Sequence, residues 1–71
     1  MDRLEKILSI ALENLNGDNY LLAIIVAKRS EQLSNGAEPL IPEIVKQKGL
    51  VKPADIALYE LAENKLDYRI D

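Results

Sequence analysis

The chain contains no cysteine and no histidine. Disulfides are therefore excluded, and so are metal sites built on thiolate or imidazole. The same absence removes the usual Ser–His and Cys–His pairs of nucleophilic catalysis. It fits a reducing compartment. Phenylalanine and tryptophan are missing too, so any core must be packed from aliphatic side chains. No stretch approaches the ~20 apolar residues of a membrane span. The three glycines, Gly17, Gly36 and Gly49, stand far apart. None belongs to a phosphate-cradling loop, and each reads as a helix stop or a turn. Basic charge is in deficit: the net charge is −3, which argues against a nucleic-acid binder with its basic face. The start, Met1-Asp2-Arg3-Leu4-Glu5-Lys6, is mixed in charge and does not follow a secretory-signal pattern. The chain is read as cytoplasmic.

What is present is apolar helix in a short chain. At 71 residues the sequence is one small domain, spanning 1–71. A domain of this size buries about 60% of its unfolded surface. Its core rarely supplies more than roughly 3–5 kcal/mol of net stability. With disulfides and the usual metal sites excluded, the remaining support is a partner or very good helix packing.

The longest apolar run is Tyr20-Leu21-Leu22-Ala23-Ile24-Ile25-Val26-Ala27, followed by Lys28-Arg29-Ser30-Glu31-Gln32-Leu33-Ser34-Asn35-Gly36. Asp18 is an N-cap candidate and Asn35-Gly36 a stop, so this segment reads as a helix from 19 to 35. A helix apolar all round its first turns must be covered on every side. Upstream, Leu4, Ile7, Leu8, Ala11, Leu12 and Leu15 mark one face of a helix from 3 to 15. Asp2 and Glu5 have capping-box spacing. Asn16-Gly17 ends this helix, and the three-residue connection 16–18 predicts that helices one and two pack side by side.

Between Ala37 and Val51 two prolines, Pro39 and Pro42, break regular structure. Six aliphatic residues, Leu40, Ile41, Ile44, Val45, Leu50 and Val51, predict an ordered loop pinned by apolar anchors, with room for a short helical turn around Glu43–Lys46. A third helix starts at Pro53, a favoured first-turn residue, and runs to Lys65. The end, Leu66-Asp67-Tyr68-Arg69-Ile70-Asp71, alternates apolar and polar. It reads equally as an extended segment for a partner's surface or as a frayed terminus. The expectation is an all-α fold of three helices, 3–15, 19–35 and 53–65, with no sheet.

Candidate chemistry is sparse. Glu60 and Glu63 sit one helical turn apart, and with Asp55 they read as solvated surface charge. Lys28-Arg29 is the notable basic pair. It could bind phosphate or a partner's carboxylate, and the plainer reading is local bridging to Glu31 or the Gln32 side. Since an Arg fork holds a carboxylate bidentately, Arg29 is the better candidate for a specific pair.

Several stretches together carry a resemblance. They are Ala11-Leu12-Glu13-Asn14-Leu15, then Tyr20, then Val26-Ala27-Lys28-Arg29-Ser30-Glu31-Gln32-Leu33, Gly36-Ala37, Pro39-Leu40-Ile41, and Lys52-Pro53-Ala54-Asp55-Ile56-Ala57-Leu58-Tyr59-Glu60-Leu61-Ala62-Glu63-Asn64-Lys65-Leu66. In order and spacing, over roughly 11–66, they resemble the omega subunit family of bacterial DNA-directed RNA polymerase. That family shows an aromatic residue opening a long apolar helix. An Ala-Lys-Arg-Ala-x-Gln-Leu ending, a Gly and Pro-Leu-Val follow. A later helix reads Ile-Ala-Leu-x-Glu-Ile-Ala-x-x-Lys-Ile.

The resemblance implies a small all-helical subunit, with a core of two helices and adjacent ordered loops. It implies no catalytic residues and no cofactor or metal of its own, in an accessory subunit of a nucleotidyltransferase complex. The partner implied is the beta-prime subunit, clasped near its C-terminal region and helped to fold and to join alpha and beta in the core enzyme. No specific nucleic-acid contact and no membrane are expected. The partner surface expected on helix two is Tyr20, Ile25, Lys28, Arg29 and Leu33. Beyond it come Pro39 and Leu40, then Ala57, Glu60 and Lys65. Some omegas bind guanosine tetraphosphate through a Met-Ala-Arg-Val-type start. Met1-Asp2-Arg3-Leu4 keeps only Arg3, at a longer spacing to Tyr20, so Arg3 is expected to contribute weakly or not at all. The chain also departs from the family at Asn19 (often Arg), Ser30 (usually Ala) and Asn64 (commonly Gly). The competing class is a free-standing homodimeric helical module, a regulator or antitoxin-like protein, with helix two as its own dimer interface. An enzyme is a distant third.

Overall fold

A computed structural model describes residues 3–66. Four helices and no strand occur among them: α1 (Arg3–Asn14), α2 (Asn19–Ser34), α3 (Pro42–Lys48) and α4 (Pro53–Ala62). The all-α class and three of the helix starts match the sequence expectation. α3 is a fourth helix that extends the short turn allowed around Glu43–Lys46 to seven residues, and α4 stops three residues earlier than expected. The Asp2 end of the capping box and the 67–71 part of the tail lie outside the described residues.

Local chemistry explains each boundary. The Asp18 carboxylate accepts the Leu21 N–H at 2.9 Å and so caps α2. α2 stops at Gly36, whose φ of 103° is open only to glycine without strain. The Ala37 N–H then reaches back to the Gln32 carbonyl at 3.0 Å. α4 ends in the same way, with Asn64 at φ 57° and the Lys65 N–H on the Glu60 carbonyl at 3.0 Å. In α3, Pro42 opens the first turn, Glu43 faces the positive end of the helix dipole, and Lys46 and Lys48 face its negative end. Pro42 is thus a helix starter, where the sequence reading took it only as a breaker.

α4 is the central element. Ile56, Ala57, Tyr59, Glu60 and Leu61 are all buried along its ten residues. Both α1 and α2 pack on it, and they touch each other much less. This corrects the expectation that helices one and two lie side by side: the short connection allows adjacency, but each finds more apolar surface on α4. Ala11 and Leu15 of α1, Leu22 and Ile25 of α2, and Leu61 of α4 form the central cluster, with Leu12, Leu21, Val26, Leu58, Ala62 and Leu66 packed around it. Only the C-terminal half of α1 reaches it, so Leu4 and Leu8 stay exposed.

The molecule measures 32 × 28 × 16 Å between Cα extremes. Two packed helix layers, 8–10 Å between axes with Cα atoms at ~2.3 Å radius, are about 13–15 Å thick. The fold is therefore a slab two helices deep: α1, α2 and α3 keep exposed outer positions, while α4 is exposed only at Ala54. The demand for cover on α2, which falls on the rest of the chain or on a partner, is thus met by the chain itself along one side only. The buried positions of α2 are one stripe, Leu22, Ile25 and Arg29. Tyr20, Ala23 and Ala27 face outward, with Ile24 half-buried beside them. Of the six anchors expected between 37 and 51, Ile41 is buried and Ile44, Val45 and Leu50 are half-buried, whereas Leu40 and Val51 are exposed. Among the described residues, no helix is long and apolar enough to cross a membrane.

Candidate partner interface

The buried stripe of α2 carries one charge. Leu22, Ile25 and Arg29 follow at steps of three and four, so Arg29 inherits the inward direction of the two aliphatics. On α4, Glu60 follows Ile56 and Ala57 on the same terms. The two meet. Arg29 Nε donates to Glu60 Oε1 at 2.6 Å, and Arg29 Nη2 donates to Glu60 Oε2 at 2.9 Å. Arg29 is 8% exposed and Glu60 0%.

The pair has further partners. Arg29 Nη2 also donates to the Glu38 carbonyl at 3.0 Å, and Nη1 to Gln32 Oε1 at 3.1 Å. The Leu40 N–H donates to Glu60 Oε2 at 2.9 Å. α2, α4 and the 38–40 connection are thus joined at one point. The Arg29 guanidinium is held above its ordinary pKa, first by its hydrogen bonds to Glu60 and further by that carboxylate's charge, while burial acts in the opposite direction. Both charges are satisfied, which burial requires.

Two expectations are corrected here. Glu60 is not solvated surface charge; it is fully enclosed. Arg29 is not a rim residue offering its fork to another protein, because Glu60 already fills that fork. Sequence spacing carried the signal for Arg29, since it continues the 22–25 stripe. The partner, 31 positions away, left no local trace.

The other expected site residues divide by depth. Ile25 and Ala57 are buried, so with Arg29 and Glu60 they act inside the fold. Tyr20 is 77% exposed and Leu40 48%. Lys28 and Lys65 are exposed, and Leu33 and Pro39 half-buried. The Arg3 side chain lies outside what the structure describes. Val51, at 85% exposure, and Asn14, whose Nδ2 donates to the Leu61 carbonyl at 2.9 Å, were not among the expected residues. Among the described residues no group of three or more acidic side chains is gathered to hold a metal ion.

The outward side of the first half of α2 is apolar at Tyr20, Ala23 and Ala27, and exposed Lys28 and Glu31 follow it. Tyr20, Ala23 and Ala27 on α2 present little side-chain bulk beyond the tyrosine ring, so another chain can approach the helix backbone closely. Leu40 and Val51 add two isolated aliphatic contacts.

The sequence is similar to known proteins along most of its length. The family model described as RNA polymerase Rpb6 matches residues 2–68. The chain is 53% identical over 64 residues to the DNA-directed RNA polymerase subunit omega of Campylobacter jejuni, covering 90% of this chain and 82% of that protein. It is 51% identical over 69 residues to the subunit of the same name from Nitratiruptor sp., covering 97% and 94%. With the one from Wolinella succinogenes it shares 46% over 66 residues, covering 93% and 89%. No solved structure matches the chain.

Proposed function

The chain belongs to the RNA polymerase Rpb6 family and within it to the bacterial omega subunits, and from that membership we propose that it binds the beta-prime subunit and promotes its folding and assembly with alpha and beta into the core enzyme. It is an accessory subunit there, with no catalytic residue, cofactor or metal of its own. Its place of action is the cytoplasm, with the polymerase. The net charge of −3 gives no support to a direct nucleic-acid contact.

One observation carries the reading. The outward face of α2, Tyr20 with Ala23 and Ala27, is apolar and exposed, and among the described residues no element covers it. Tyrosine is among the residues in which interface energy concentrates. Lys28 and Lys65 belong to the rim, where charges contribute less and steer association. Leu33 continues the contact along α2, and Pro39 and Leu40 extend it beyond that helix. Ile25, Arg29, Ala57 and Glu60 support that surface from inside.

The test is co-refolding of the tagged chain with beta-prime, followed by size-exclusion chromatography. A one-to-one complex, with a higher yield of soluble beta-prime, is expected. Elution of the chain as a homodimer, apart from beta-prime, overturns the reading in favour of a free-standing module.

A further inference from the structure

We propose that the buried Arg29–Glu60 pair is a positioning device that holds Leu40 outward as a docking anchor for an apolar, basic-rimmed pocket on the large polymerase subunit, an inference that rests on the partner reading above. The pair places a hydrogen bond on each side of Pro39. Upstream, the Glu38 carbonyl accepts from Arg29 Nη2 at 3.0 Å. Downstream, the Leu40 N–H donates to Glu60 Oε2 at 2.9 Å. Pro39 fixes its own φ, and Pro39 and Pro42 restrict the residues before them, Glu38 and Ile41. Four consecutive residues are thereby held, with Ile41 buried and Leu40 turned to solvent.

A lone exposed leucine is ordinary. A leucine whose backbone is bound by a fully enclosed carboxylate is not. Well-packed apolar side chains often replace a buried ion pair without loss of stability, so stability alone does not account for this one. Its reach to Glu38 and Leu40 gives it a second task. Ordering of the anchor is completed before binding, which removes that cost from association.

Charge identifies the pocket. The segment 39–42 is uncharged, and exposed Glu38 and Glu43 flank it. The nearest base along α3, Lys46, is one turn beyond Glu43. An apolar pocket with a basic rim is complementary to this pattern.

The experiment uses the full 71-residue chain made by chemical synthesis, in four forms: unmodified, Leu40→Ala, an ester in place of the Pro39–Leu40 amide, and both changes together. The ester deletes the Leu40 N–H and keeps the side chain and the Arg29–Glu60 pair. Affinity for polymerase core lacking this subunit and the thermal midpoint of the isolated chain are measured. Each single change is expected to weaken binding at least tenfold. The doubly changed chain should lose no more than the weaker single form, and Leu40→Ala should leave the thermal midpoint unchanged. A purely structural role for the pair predicts instead that the two fold-losses multiply, and that result overturns the proposal. So does wild-type affinity in Leu40→Ala, a variant that touches no buried group and remains decisive where the ester lowers stability. Glu43→Lys should slow association at low salt; acceleration overturns the basic rim. Failure of the unmodified chain to bind core overturns the partner reading itself, which keeps the two failures distinct.

Discussion

Asn14 closes α1 onto the end of α4: its Nδ2 donates to the Leu61 carbonyl at 2.9 Å and to the Ala62 carbonyl at 3.3 Å, 47 and 48 positions away. These are last-turn carbonyls, among those a helix leaves without an internal partner. The Leu61 carbonyl also accepts the Asn64 N–H at 3.0 Å, so Asn14→Ala removes one part-buried hydrogen bond from each carbonyl without stranding that of Leu61. A net loss of about 1–2 kcal/mol is expected, read as a lower midpoint in thermal unfolding followed by circular dichroism. An unchanged midpoint would show that water replaces the amide without loss.

The second prediction concerns Arg29. Removing it leaves the enclosed Glu60 carboxylate unpaired, at a cost of about 3–5 kcal/mol. Against a net stability of a few kcal/mol for a domain this small, Arg29→Ala should largely unfold the isolated chain. The double replacement Arg29→Met with Glu60→Leu should retain most of the helicity, because no charge is left buried. Retained helicity in Arg29→Ala would contradict this account. The pH dependence follows from the raised pKa of Arg29. A base whose folded pKa is raised contributes stability below its unfolded value and loses it only as pH climbs through the folded one. From neutral pH up to pH ~11 the stability difference between wild type and the double replacement should therefore stay flat, since even unperturbed arginine loses its proton only in stronger alkali.

Ser30 gives an opposite sign. Its Oγ is buried with no hydrogen-bond partner. An unpaired buried hydroxyl costs about 1–3 kcal/mol, and alanine is the better helix former. Ser30→Ala should stabilise the chain by about 1 kcal/mol in urea unfolding, with an unchanged m-value. A destabilised variant would reveal a partner for that hydroxyl.

For Arg3, the expectation is a small effect. Guanosine tetraphosphate binding by reconstituted polymerase should change less than tenfold on Arg3→Ala, about 1.4 kcal/mol. A larger loss in a direct binding titration would assign this residue to the nucleotide despite the altered Met1-Asp2-Arg3-Leu4 start.

Local signals were legible in the sequence and long-range ones were not. Asp18, Pro53 and Gly36 announce boundaries because caps, first-turn prolines and left-handed stops act within a few residues. Asn64, a departure from the omega pattern where glycine is common, takes the left-handed conformation glycine would supply, at φ 57°. Of α3 only a short turn around Glu43–Lys46 was legible, because Pro42 both ends one geometry and begins another, and only the chain that follows decides which. The central place of α4 was missed because helix two has the longer apolar run, yet burial depends on position between neighbours. For the site, Tyr20 and Leu40 were both read as partner contacts and both are exposed, although Leu40 was also read as an anchor of the 37–51 segment. The enclosure of Arg29 by Glu60 was not, since pairing across 31 positions is set by the packing of α2 on α4.

The two-layer depth of the slab also bears on how the cell keeps this subunit in proportion. A thin fold with few kcal/mol in reserve spends measurable time open, and open chains are degraded. A partner that binds only the folded form adds stability through mass action, about 2.7 kcal/mol at a free concentration one hundred times the dissociation constant. Copies that find a polymerase are protected, and surplus copies are cleared. Stoichiometry can thus be matched after synthesis by proteolysis alone, with no dedicated regulator.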